Sequence, residues 1–190
     1  MGGSPKNPYD ITKSPAGSSS GSGIAAAMSF AAGTIGTETS GSITGPSNVN
    51  GMVGIKSTIA LVSRSGVVPI SHNQDTAGPM TRSVMDAAMI LNVIAGSDPG
   101  DPQSAEADAH KTDYVKALDA KSLQGVRVGV MRGLRQYNEK TTPVFEEALA
   151  VLKAQGAELV DIDAGKLEDL NPEMRTILKY DFKQDLNAYL

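Results

Sequence analysis

The sequence predicts an α/β fold, and three observations carry that reading. The last third alternates strand and helix patterns: "GVRVGVMR" at 125–132, "TTPVFEEALAVLKAQG" at 141–156, "AELVDID" at 157–163 and a helical run at 171–190. Such alternation marks a sheet covered by helices. "TRSVMDAAMILNVIAG" at 81–96 repeats apolar residues at helical spacing. Finally, the small apolar run "IAAAMSFAA" at 24–32 lies between two loops dense in serine and glycine, "SPAGSSSGSG" at 14–23 and "GTETSGSITGP" at 36–46.

In chain order, Pro5, Pro8 and Pro15 keep residues 1–17 irregular. Ser20 or Ser22 is placed to cap a helix over 23–32 that Gly33 ends. This helix is apolar all round, which suits burial on most sides. "TIGTE" at 34–38 is a short strand leading into the loop at 39–47, and "MVGIKST" at 52–58 is a second, buried strand. The helix within 81–96 opens on a capping box, Ser83 with Asp86 in place of the usual glutamate, and stops at Gly96. "DPGDPQS" at 98–104 is a surface loop. The next helix takes Thr142 as cap, Pro143 at its first position and Gly156 at its end.

The last helix takes Asn171 as cap and Pro172 at its first position, with Met174, Ile177, Leu178, Phe182, Leu186, Tyr189 and Leu190 at helical spacing. It runs to Leu190 without a stop signal, so the chain is expected to be a piece of a longer protein. The face of Ile177, Leu178, Phe182, Leu186 and Leu190 is then expected to lie uncovered.

Composition narrows the function. Apolar residues are 40% and charged residues 20%, a globular balance in a length that suits one domain. The 17 basic and 21 acidic residues give a net charge of −4 with no basic run, which argues against nucleic acid as a direct partner. Cysteine is absent, which excludes disulfides, thiol catalysis and Cys-rich zinc sites. No apolar run approaches the ~20 residues of a membrane span. The opening "MGGSPKNPYD" has no signal-peptide pattern, so a cytoplasmic location is expected. The eight methionines read as core filler.

The serine-rich loops admit several readings. A linker does not fit, because strong secondary structure adjoins both. "GSSSG" at 17–21 matches a nucleophile elbow around Ser19, but that motif needs an apolar strand before it and "DITKSPA" is not one. "GSGIAA" at 21–26 imitates a phosphate-binding turn and fails the same test. The remaining reading pairs Ser18 with Ser42. Gly17, Ser40 and Gly41 let the backbone approach a ligand closely, and the amides of Thr39, Ser40, Gly41 and Ser42 are able to converge as an oxyanion hole. That arrangement suits acyl transfer by an activated serine.

The wording of these segments resembles the amidase signature family, hydrolases with a Ser–cis-Ser–Lys triad. The resemblance rests on "NPYDITKSPAGSSSGSG", "GTETSGSITGPSNVNGMVGIKST", "LVSRSGVVPISHNQDTAGPMTRSVMDAAMILNVIAG" and "LQGVRVGVMR", and is greatest to the peptide-amidase branch. It implies a mixed β-sheet covered by helices on both sides, with residues 1–190 a partial amidase domain: a signature core over about 7–100 and an extension over about 125–190. It implies Ser42 as nucleophile, Ser18 as bridging serine behind a cis Gly17–Ser18 bond, and an oxyanion hole of Thr39, Ser40, Gly41 and Ser42. The sequence departs from the family pattern at Ala16, Ser40 and Thr44.

The implied reaction is hydrolysis of carboxylic or C-terminal peptide amides to acid and ammonia, without metal or cofactor, on a small amide or peptide-amide substrate. The alternative is an amidotransferase-type component of a larger complex. The family's lysine stands on a segment upstream of where this chain begins, so the chain alone is expected to be inactive.

Lys13 is expected to be solvated, Lys56 to bond structurally, and His72 and His110 to be loop and surface residues. Glu106, Asp108 and Asp113 near His110 lack metal-ligand spacing. Asp75 and Arg82 are expected to brace a loop near the site. Glu38 either orients the oxyanion loop or bonds within the strand end.

Overall fold

A computed structural model describes residues 3–118, 123–132, 139–163 and 171–190. They fall into two compact units, one of Met1–Ala117 with Met174–Leu190 and one of Leu118–Glu173. The first holds α1 (Ser20–Ala27), β1 (Gly33–Glu38), α2 (Thr44–Val49), β2 (Val53–Gly54), β3 (Thr76–Thr81), α3 (Val84–Ile94), a 3-10 turn (Pro102–Glu106), α4 (Ala107–His110) and most of α6 (Asn171–Tyr189).

Its sheet runs in the order β1-β3-β2. β1 pairs antiparallel with β3 from Gly33↔Thr81 to Glu38↔Thr76, and β2 pairs antiparallel through Val53↔Thr81 and Gly54↔Met80. The central strand, "TAGPMT", is the one that sequence patterning does not mark, because Gly and Pro are depleted in strands. All six of its residues are buried. Pro79 contributes its carbonyl to the N–H of Ile55 at 3.0 Å. Position 78 admits only glycine, since a Cβ there would lie 2.0 Å from the Ile55 carbonyl oxygen. Val62, Ala77, Leu91 and Ala95 form the core, with Ile55, Leu61, Ile94 and Tyr114 packed against it.

Several expected boundaries move. α1 stops at Ala27, not at 32, because Ser29 takes φ 60° and Gly33 begins β1. No side-chain cap bond opens it, since Ser20 and Ser22 bond elsewhere. The strand expected over 52–58 shortens to Val53–Gly54. Ser83 caps α3 by accepting the Asp86 N–H at 3.1 Å, while its hydroxyl donates to the Asp86 carboxylate at 2.7 Å. The segment 98–104 is not a plain surface loop: Asp101 and Ser104 are buried, and Asp101 caps the 3-10 turn through the Gln103 N–H. Nor are the methionines all core filler, for Met80 is fully buried whereas Met28, Met85, Met89, Met131 and Met174 are exposed.

α6 docks by its polar stripe. Asp181 and Asp185, one turn apart, accept from the Ser71 hydroxyl at 2.5 Å and the His72 N–H at 2.7 Å. Ile177 and Phe182 stay exposed, as the uncovered-face expectation has it, while Leu178 and Leu186 are half-buried. The side chain of Asn171, the expected cap, lies outside the described residues.

The second unit follows its periodicity. β4 (Arg127–Val130) and β5 (Glu158–Asp161) pair in parallel from Arg127↔Glu158 to Val130↔Asp161, joined through α5 (Thr142–Ala154). Parallel pairing needs such a crossover. Pro143 sits in the first turn of α5, and Gly156 takes φ 95° where the chain leaves it. The fold is α/β, with its antiparallel and parallel pairings in separate sheets. Among the described residues no helix is long and apolar enough to cross a membrane.

Candidate active site

The segment before α1 and the loop after β1 meet at their backbones. The Ser19 N–H donates to the Ser42 carbonyl at 3.2 Å. The Ser19 hydroxyl donates to the Thr37 carbonyl and accepts the Thr37 N–H, both at 3.1 Å, clamping the segment to β1. Glycine at 36 makes this approach feasible, since a Cβ there would lie 2.6 Å from Met80 Sδ and 3.0 Å from Ser19 Oγ. Asn50, fully buried, donates from Nδ2 to the carbonyls of Pro15 at 3.1 Å and Pro46 at 2.7 Å. The Gly17–Ser18 bond is cis, and Ala16 before it takes φ 55°.

The serines of the two loops then sort themselves. Ser14 accepts the Ala16 N–H, Ser19 is held on Thr37, Ser20 donates to the Ala16 carbonyl and Ser22 to the Ile35 carbonyl. The hydroxyls of Ser18, Ser40 and Ser42 have no hydrogen-bond partner among the described residues. What joins Ser18's segment to Ser42 is the backbone bond at Ser19, not a bond between the two hydroxyls.

Glu38 shapes the loop. Its carboxylate is buried and accepts the N–H groups of Gly41 at 2.7 Å and of Ile43 and Thr44 at 2.8 Å, with the Thr44 hydroxyl at 3.1 Å. Burial works against its charge, yet the combined donors of Thr44, Ile43 and Gly41 win and hold its carboxyl below the ordinary 4.5. Of the two roles open to Glu38 in the sequence, it takes the first: it orients the loop. One expected donor is used up in doing so. The Gly41 N–H is committed to Glu38, whereas the N–H groups of Thr39, Ser40 and Ser42 have no acceptor among the described residues.

Asp75 braces the loop's first residue, accepting the Thr39 hydroxyl at 2.5 Å. Arg82 donates instead to the Ala26 carbonyl in the last turn of α1 at 2.5 Å and to the Ala31 carbonyl beyond it at 3.2 Å. Lys13 and His110 are exposed, as expected. Lys56 is exposed too and has no partner among the described residues, so its expected structural bond is absent there. His72 is more than a loop residue, since its ring Nδ1 lies 2.9 Å from Asp185. Among the described residues no group of His, Asp and Glu is placed to hold a metal ion.

Patterning missed Arg64 and Asp101 altogether. Arg64 donates through Nε and Nη2 to the two Asp101 oxygens, each at 2.9 Å, and through Nη1 to the His72 carbonyl. The Arg64 guanidinium bonded to Asp101 holds that carboxyl below its usual value. A cavity of about 260 Å³ opens there, lined by Arg64, Val67, Pro69, His72, Asp75 and Tyr189, and no candidate serine lines it.

This geometry has relatives. A putative amidase of Arthroderma benhamiae is 48% identical over 157 residues, which is 80% of this chain and 26% of that protein. A glutamyl-tRNA(Gln) amidotransferase component from Streptomyces coelicolor is 44% identical over 159 residues, 83% of this chain and 32% of that one. The X-ray structure of native peptide amidase from Stenotrophomonas maltophilia matches with TM-score 0.90 at 45% identity, over 97% of this chain and 38% of that one. The chain thus spans between about a quarter and two fifths of the length of these relatives. The amidase family model matches residues 1–190 throughout, and the chain belongs to the amidase family.

Proposed function

We propose that the protein is an amidohydrolase cleaving carboxylic amides, C-terminal peptide amides among them, to acid and ammonia through a serine acyl-enzyme. One observation carries the reading: the Ser19 N–H donates to the Ser42 carbonyl, so the segments of Ser18 and Ser42 meet, and among the described residues both hydroxyls and the N–H groups of Thr39, Ser40 and Ser42 are uncommitted. Ser42 is the nucleophile. Ser18 takes its proton and passes one to a neutral lysine, a role that suits neither Lys13 nor Lys56, both of which are exposed. The oxygen of the attacked carbonyl gathers charge toward the amides of Thr39, Ser40 and Ser42. Gly41, bound to Glu38, shapes the loop rather than donating to substrate. Ser18 then returns a proton to the departing ammonia, and water releases the acid from Ser42.

The test is ammonia release from a C-terminally amidated peptide by the intact protein. Ser42→Ala is expected to abolish it, by a factor of about 10⁴ or more, with Ser18→Ala close behind. Full turnover in Ser42→Ala rejects the assignment. The likeness to an amidotransferase component supports a second reading, in which the protein delivers ammonia inside a complex. Copurification of partner proteins, with activity only in their presence, would select it.

A further inference from the structure

Asp75 is buried and immediately precedes β3, so the central strand fixes where its carboxylate stands. One oxygen accepts the Thr39 hydroxyl at 2.5 Å. The other accepts the N–H groups of Ile70 at 2.7 Å and Ser71 at 2.9 Å. Ser71 in turn donates its hydroxyl to the buried Asp181 of α6. Because Glu38 faces Thr76 across the sheet, Glu38 and Asp75 project from neighbouring strand ends toward one loop. Glu38 grips its far side at Gly41, Ile43 and Thr44, and Asp75 grips its first residue. The Ser40 amide stands between the two grips, with the Thr39 amide at the first and the Ser42 amide between the Gly41 and Ile43 bonds of the second.

Hydrogen bonds to a carboxylate are roughly twice as strong as those between neutral groups, so each grip restrains the backbone. Donors aimed at a developing oxyanion work by being placed in advance, and small displacements cost rate. We propose that Asp75 is a positioning residue: it fixes Thr39, and with it the direction of the Thr39 and Ser40 amides, and through Ser71 it ties that loop to α6. The inference rests on the reading of Ser42 as nucleophile.

Two variants test it. Asp75→Asn removes the charge, and Thr39→Val removes only the hydroxyl, so the latter carries the test if the former does not fold. Hydrogen exchange in the 190-residue chain is read at Gly41, whose N–H is bound to Glu38 and not to Asp75. Exchange there is expected to rise about tenfold in each variant while α3 keeps its rates, with the double variant no faster than Asp75→Asn alone. In the intact protein kcat is expected to fall about tenfold in each single variant with KM within about twofold. Unchanged Gly41 exchange in a cooperatively melting Thr39→Val chain overturns the proposal, and so do additive losses in the double variant. If Ser42→Ala stays active the nucleophile reading fails, and the exchange result still decides whether Asp75 holds the loop.

Discussion

In the first unit the carboxylates of Glu38, Asp75, Asp101 and Asp181 are buried, and each accepts from groups of a loop or from a largely buried guanidinium. In the 118–173 unit the charged pairs lie at the surface, where Arg132 meets Glu146 and Asp161, and Arg127 meets Glu158. The difference teaches what a charge does once it leaves water. A buried carboxylate must find donors for its lone pairs, and loop backbones have donors to spare, so each buried acid becomes the centre of a loop. An exposed pair replaces water with a partner of similar strength and decides little.

The largest expected effect comes from Arg64 and Asp101, whose side chains are 11% and 7% exposed. Asp101→Asn leaves a buried guanidinium without its counter-charge, and the loss of stability is expected to be about 3–5 kcal/mol in urea denaturation. Replacing both, as Arg64→Met with Asp101→Leu, is expected to cost less than the single change. A double variant that loses more than Asp101→Asn would show that this pair stabilises by net attraction, and would sharpen the comparison in the other direction.

Glu38→Gln comes next, at about 2–3 kcal/mol, because an amide accepts more weakly and aims one N–H group at a site that receives donors. Its pH dependence has a definite sign. The folded carboxyl lies below its ordinary 4.5, so its contribution is fully present above that value and is lost as pH falls through the lower folded value. Melting temperatures from about pH 6 down to about pH 3 should fall less steeply in Glu38→Gln than in wild type. Equal slopes would mean that Glu38 does not carry the acid sensitivity of this loop.

α6 offers an intermediate case inside the first unit. Asp181→Ala is expected to cost about 1–2 kcal/mol, since the Ser71 hydroxyl loses its buried partner. Phe182→Ser, one residue on and exposed, is expected to leave the urea midpoint unchanged. The reverse order would mean that the apolar face, not the polar stripe, seats the helix.

The same contrast explains what could be read from the sequence. The parallel pair across α5 was legible because Val128, Val130, Leu149 and Leu159 repeat with the periods of their elements. The cap of α3 was legible because Ser83 and Asp86 interact across three residues. β3 was hidden, since its six buried residues include Gly78 and Pro79 and its pairing is set by close backbone contacts. In the proposed site, Ser18, Ser42 and the amide loop were singled out by the pairing of the two loops and by the family resemblance, and Glu38 only as one of two roles. That Gly41 serves Glu38, and that Asp75 reaches Thr39 and Ser71, depends on contacts 3 to 36 residues apart that no local pattern records. Arg64 left no signal, because its partner stands 37 residues away.

The smallest effect is expected where charges are most visible. Arg132 touches Glu146 and lies 2.9 Å from Asp161, joining the end of β4 to α5 and β5, which on a contact diagram looks like a staple for the second unit. All three side chains are substantially exposed, so water already satisfies them, and ordering the long arginine offsets much of what the pairs contribute. Val130, Leu149 and Ala157, buried beneath, hold the unit instead. Arg132→Ala is therefore expected to leave exchange unchanged at the Glu158 and Ile162 amides, which bond to Val126 and Val130 across the parallel pair. Raising the salt should leave the wild-type rates equally unmoved, since screening has little to remove. Faster exchange at those two amides in Arg132→Ala, reproduced by salt in the wild type, would show that surface charge organises this unit as buried charge organises the other.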